Sequence, residues 1–250
     1  MYPVVPYAYE YVRLATKTGG FSGLAKSVIR QIVFTTHGKA IAPAVVGSIT
    51  ANPSTLMKTY LIYELSRVKH AAGNSAHIKS IILHEVITDM ALSLNFDWLF
   101  VSYVKFMLKN RIRPGLHTRN LPYLVKKLGE WGIDPIQLTI LAPFNKIGFQ
   151  MNPSKTDFEK TLESISGIKV IAMSILASGY LKPPEAISYV AGLPNLTHIA
   201  VGVSNEHQAI ETFRLLREKK QNELAHAKTD MLLDLFSLWI VMLLCIFLYN

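Results

Sequence analysis

Four side chains in this sequence combine reactive chemistry with a position at or just beyond the end of an apolar run: His84 after IKSIIL, His117 after IRPGL, and Asn145 and Lys146 after TILAPF. An imidazole exchanges protons near neutral pH. A lysine beyond a buried strand can bind phosphate, stabilise a developing oxyanion, or form a Schiff base once its pKa is lowered. Asn145 either holds a carbonyl or shapes the turn. The plainer readings stand beside these: His84 as a structural histidine, Lys146 as a solvated loop lysine. Glu85, Asp89 and His117 have the chemical types of metal ligands, but their spacing fits no local metal motif, so no metal is expected. On an extended strand, His84 and Glu85 would point to opposite faces.

A second group is small rather than reactive. Ser174, Ser178 and Gly179 follow one apolar run, and Gly202, Ser204 and Asn205 follow the next. Two such loops, with a helix N-terminus behind them, can offer backbone N–H groups to the phosphate of a ligand or cofactor. Turn chemistry alone accounts for the same residue types.

The elements that must position these groups alternate. Apolar strands are expected at Ala40 to Thr50, Ile78 to Val86, Ile112 to Thr118, from Thr139, at Gly167 to Gly179 and at Leu196 to Asn205. Amphipathic helices follow them at Thr55 to Ala72, Trp98 to Lys109, Tyr123 to Trp131, Lys155 to Ser166, Pro183 to Ala191 and Glu206 to Lys220. Asp97 and Ser154 are the expected caps of the second and fourth of these helices. Strict alternation implies a parallel sheet with crossover helices. Polar residues at the carboxyl end of nearly every strand favour a TIM-type (β/α) barrel over a doubly wound sheet, whose site concentrates at one switch point. Eight strands close the usual barrel, so this α/β chain reads as incomplete at its N-terminus. Three regions result: a helical segment over 1–38 with no clear strand, barrel units over 39–220, and a basic linker with an apolar helix over 221–250.

The chain has 250 residues and a formal charge of +9, with half its residues hydrophobic. The densest basic residues, Lys105 to Lys127, accompany no nucleic-acid motif, so no nucleic-acid partner is expected. A phosphorylated small molecule or an anionic membrane surface accounts for the sign as well. The single cysteine, Cys245, excludes an intramolecular disulfide. No secretory signal opens the chain. Met231 to Tyr249 holds one charge, Asp234, and follows a basic flank. It reads as a C-terminal membrane anchor with the barrel facing the cytoplasm; a buried terminal helix in a cytoplasmic protein is the alternative.

Several stretches resemble the aldo-keto reductase superfamily. IAMSILASGYLKPPEAISYV, from Ile171 to Val190, is similar to its seventh strand and following helix. AVGVSNEHQAIET, from Ala200 to Thr212, is similar to its eighth strand, where a Gly-Val-Ser turn contributes to phosphate binding. FNKIGFQMNP resembles the segment after the sixth strand, and IILHE resembles the strand ending in the family's catalytic histidine, here His84. The resemblance implies an oxidoreductase or related lyase acting on a small carbonyl-bearing or phosphorylated metabolite, with NADP as the cofactor. The family's catalytic tyrosine, aspartate and lysine have no motif-matched counterpart here. A catalytically inactive, membrane-anchored binding or scaffold barrel is therefore the alternative function.

Overall fold

In a computed structural model the described residues are 1–5, 53–73 and 77–219. They build an α/β fold around one parallel sheet of six strands in consecutive order: β1 (Val4–Val5), β2 (Ser80–Leu83), β3 (Arg113–His117), β4 (Thr139–Pro143), β5 (Lys169–Met173) and β6 (Leu196–Ile199). Between them run α1 (Pro53–Ala72), α2 (Glu85–Ser93), α3 (Asp97–Lys109), α4 (Leu121–Glu130), α5 (Lys155–Ser164) and α6 (Pro183–Ala191). Residues 206–219 are helical after β6. Consecutive order with right-handed crossovers brings every connecting helix to the same side of the sheet.

The alternation of side chains along each strand then separates two apolar clusters. Ile81, Leu83, Leu116, Ile140, Ala142, Val170 and Ala172 pack against the helices, with Phe100, Leu124, Phe158 and Ile187 among their partners. Ile82, Leu141 and Ile171 face the other way and meet Tyr2, Val4 and Met173. Burial on both faces is why these strands read as continuous apolar runs.

The helix-free face is concave. In a flat sheet β1 and β5 would stand about 19 Å apart, further than a tyrosine and a lysine can bridge. Yet Lys169 Nζ on β5 donates to Tyr2 Oη, just before β1, at 2.6 Å. The Tyr2 ring also meets His198 of β6, centroids 6.2 Å apart. The sheet therefore curls until its first and last strands share side-chain contacts.

β3 contains Pro114, which brings no N–H to the ladder. The buried Tyr103 of α3 reinforces β2 and β3 at this point: its hydroxyl donates to Ile81 O at 2.6 Å and accepts from the N–H of Gly115 at 3.3 Å. Gly115 itself is required by close approach, because a Cβ there would lie 2.7 Å from Ile82 Cγ1 and 2.9 Å from Ile81 O.

Three expectations are corrected. Val4–Val5 is a strand, pairing with Ile82 and Leu83, within a region read as helical and strandless. The run from Ile78 to Val86 is strand only at Ser80–Leu83; helix α2 starts at once and carries Glu85. Asp97 lies in the first turn of α3, whose N-cap position is Phe96 and has no side-chain cap. Ser154 does cap α5, accepting from Asp157 N at 3.2 Å. The expected strand from Ala40 to Thr50 and the apolar stretch from Met231 to Tyr249 lie outside the described residues. Among the described residues no helix is long and apolar enough to cross a membrane.

Candidate functional site

The carboxyl ends of β2 and β3 gather an ionisable cluster. His84 is the N-cap of α2, its Nδ1 accepting from Val86 N at 3.2 Å. That bond places the proton of a neutral imidazole on Nε2. Glu85 and Asp89 follow one helical turn apart on α2, so they share a face. His117 ends β3, 6% exposed, and its ring meets that of His84 edge-on at 5.8 Å. His117 Nε2 lies 2.9 Å from Glu85 Oε2, at ion-pair distance but off the direction of a hydrogen bond. Arg119 donates to Glu85 Oε1 through its guanidinium and to Asp89 Oδ2 through its backbone N–H at 3.0 Å. Thr118 Oγ1 donates to Asp89 Oδ1 at 2.5 Å.

Burial sets the protonation states here. It lowers the His117 pKa to about 4, although the nearby Glu85 carboxylate pulls the other way. His117 is thus neutral at pH 7. Asp89 is pushed up, by burial first and by Glu85 as well, against the hydrogen bonds from Thr118 and Arg119. Among the described residues no group of three or more His, Cys, Asp or Glu is arranged to hold a metal ion.

Asn145 and Lys146 follow β4 and do different things. Asn145 is fully buried; its amide donates to Phe149 O at 2.8 Å and accepts from Phe149 N at 2.7 Å, closing the loop after the strand. Lys146 is exposed and paired with Glu185 of α6 at 2.7 Å. No hydrogen bond or ion pair joins it to His84 or His117.

A cavity of about 910 Å³ opens at the carboxyl ends of β5 and β6. Ser174, Ser178, Gly179, Gly202 and Ser204, expected in phosphate binding, all line it. Lys182, Gln150, Glu211 and Leu141 line it too. After β5 the chain turns through positive φ at Ser174 (51°), Ala177 (46°), Ser178 (60°) and Gly179 (91°). Among the described residues nothing accepts from the N–H groups of Ser174, Ile175 or Leu176, a concave backbone of the kind that receives anions. The second loop is arranged otherwise. Asn205, outside the lining, caps residues 206–219 by accepting from Gln208 N at 2.9 Å, while Gln208 Oε1 accepts from Ser204 N at 3.0 Å. The Ser204 N–H is therefore engaged within the chain.

Reasoning from residue types missed Thr118, Arg119 and Lys182. The first two directly follow His117 at the strand end, and Lys182 immediately precedes the Pro-Pro start of α6; position was the available signal. Glu85 and Asp89 at i and i+4 would have marked a shared face had α2 been recognised. Leu141 of the cavity is the register partner of His117, which sets the cavity beside the ionisable cluster across β3 and β4. In comparisons with known proteins, the chain matches no family model, no curated protein and no solved structure.

Proposed function

We propose that the chain is a (β/α) barrel resembling the aldo-keto reductases that binds a phosphorylated ligand, NADP first among the candidates, in the cavity beyond β5 and β6. The consecutive strand order and the contacts of Tyr2 with β5 and β6 support the barrel reading. One observation carries the ligand: the cavity is lined by Ser174, Ile175 and Leu176, whose N–H groups meet no acceptor among the described residues, together with Lys182 and the small residue Gly202. Open backbone donors and a cation match a phosphate. A bound nicotinamide would supply hydride chemistry. The chain's own part is to hold the phosphate and to offer the Nε2–H of His84 to a carbonyl oxygen, with neutral His117 packed against it. The reaction class is then oxidoreductase, or a related lyase, on a small carbonyl-bearing or phosphorylated metabolite.

Titrating the full-length protein with NADPH, NADP and phosphorylated carbonyl compounds tests this reading. Lys182→Ala is expected to weaken binding about tenfold, the size of one charge-assisted hydrogen bond. Gly202→Asp has room for its Cβ, since nothing lies within 4 Å, and should abolish binding by repulsion. No binding by any phosphorylated compound, or binding indifferent to both changes, overturns the proposal.

The pairing of Lys146 with Glu185 favours a second reading, a catalytically inactive barrel that binds without turnover and is membrane-attached through Met231 to Tyr249. Ligand binding with no consumption of NADPH, together with flotation on liposomes, would select it.

A further inference from the structure

The concave face carries a second set of polar groups at the opposite, amino end of the strands. Tyr2 is its hub. Bonds from Lys79 N to Met1 O and from Ile82 N to Pro3 O bracket Tyr2 against Ser80 of β2. Tyr2 Oη accepts from Lys169 Nζ, and its ring meets His198. Thr139 of β4 is the register partner of Lys169 on the same face. Pleating puts Ser80 on the side of Ile82, and Thr139 on the side of Leu141, so both hydroxyls belong to the concave face.

Two features of this set are unsatisfied. Ser80 and Thr139 are completely buried, yet Ser80 Oγ and Thr139 Oγ1 have no hydrogen-bond partner. Buried hydroxyls are ordinarily paired, so each orphan calls for a partner. Lys169 is half-buried and bonded only to a neutral phenol, with no carboxylate within 4 Å among the described residues. Its ammonium has three N–H groups, and one is spent on Tyr2. Because Tyr2 Oη accepts from Lys169, its own proton is free to donate. Four polar groups, from β2, β4, β5 and the chain just before β1, thus lie together on one face at the amino ends of the strands, with one positive charge and no carboxylate paired to it among the described residues.

We infer that this amino-end cluster of Tyr2, Ser80, Thr139 and Lys169 binds a small oxyanion, the carboxylate or phosphate group of a metabolite. Three hydroxyls and an ammonium give an oxyanion both neutralisation and several simultaneous donors. This site is separate from the cavity beyond β5 and β6, where Lys182 is the cation.

The test is thermal unfolding and calorimetric titration of the full-length protein with inorganic phosphate and with acetate, against chloride at equal ionic strength. A ligand that binds only the folded chain raises the unfolding midpoint. Phosphate or acetate should raise it where chloride does not; which anion acts tells phosphate from carboxylate. Lys169→Met should weaken the binding tenfold or more when compared in a Lys182→Ala background, where the cavity beyond β5 and β6 no longer competes for phosphate. Thr139→Val removes an orphan hydroxyl without changing shape, so it should raise the midpoint in chloride and shrink the added effect of the anion. Tyr2→Phe, at a half-exposed position, supplies a variant that keeps the fold if Lys169→Met does not. No anion-specific shift, or a shift that survives Lys169→Met or Tyr2→Phe and disappears with Lys182→Ala, overturns the inference. The latter result would move the anion to the cavity and leave the proposed function standing.

Discussion

His117 shows how one residue ties location to a measurable property. Its chemical type suggests a proton carrier, but burial at the end of β3 lowers its pKa to about 4, well under the ordinary histidine value of about 6.5. A group with a depressed folded pKa stabilises fully above its unfolded pKa and loses that contribution as pH falls through the folded one. Native stability should therefore drop between about pH 6.5 and 4, by an amount on the order of 2–3 kcal/mol. Urea unfolding as a function of pH, comparing the native chain with His117→Asn, checks this; the variant should lack that part of the slope. Tyr103 is a second case. Its buried hydroxyl donates to Ile81 O and accepts from Gly115 N–H beside the β2–β3 ladder, so Tyr103→Phe removes both of these bonds. A loss of about 1–3 kcal/mol is expected, read as a lower urea midpoint at unchanged slope.

At the scale of elements, α2 changes the meaning of the residues it carries. A strand through Val86 would split His84 and Glu85 between faces, whereas the helix makes His84 a cap and sets Glu85 and Asp89 on one side, toward Arg119. His84→Ala should cost about 1 kcal/mol of stability through the lost cap, and His84→Asn, which can still accept from Val86 N, should recover most of it. If both variants also lose carbonyl turnover while only the alanine variant loses stability, the proton role and the capping role separate. The loop after β4 teaches the same lesson. Asn145 and Lys146 are neighbours in sequence, but one is fully buried and closes the loop while the other reaches out to Glu185. Alternation of side-chain direction does not extend past the end of a strand, so sequence adjacency could not tell these two apart.

For the whole molecule, the curl of the sheet is the property most exposed to test. If Tyr2 and Lys169 meet, a double-mutant cycle of Tyr2→Phe with Lys169→Met in chloride buffer should return a coupling of about 0.5 kcal/mol or more. Additive effects would place the two residues on a flatter sheet, too far apart to interact. The sequence by itself determined the class of the fold: the apolar runs beginning near Ile112, Thr139, Gly167 and Leu196 became parallel strands, and the helices between them start and stop within two residues of their periodicity. Local patterning suffices for this, because strands buried on both faces and amphipathic helices each leave their own period in the chain. It also marked the serines and glycines that line the cavity, since strand ends in a parallel sheet share one edge. Tertiary structure alone decided the rest. Val4–Val5 is too short to leave a period and is a strand only because β2 offers it an edge. The tie between Tyr2 and Lys169 spans 167 positions, and the cluster of His117, Glu85 and Arg119 joins residues up to 34 apart. Such contacts depend on how strands register and how far the sheet bends, and no local pattern encodes either.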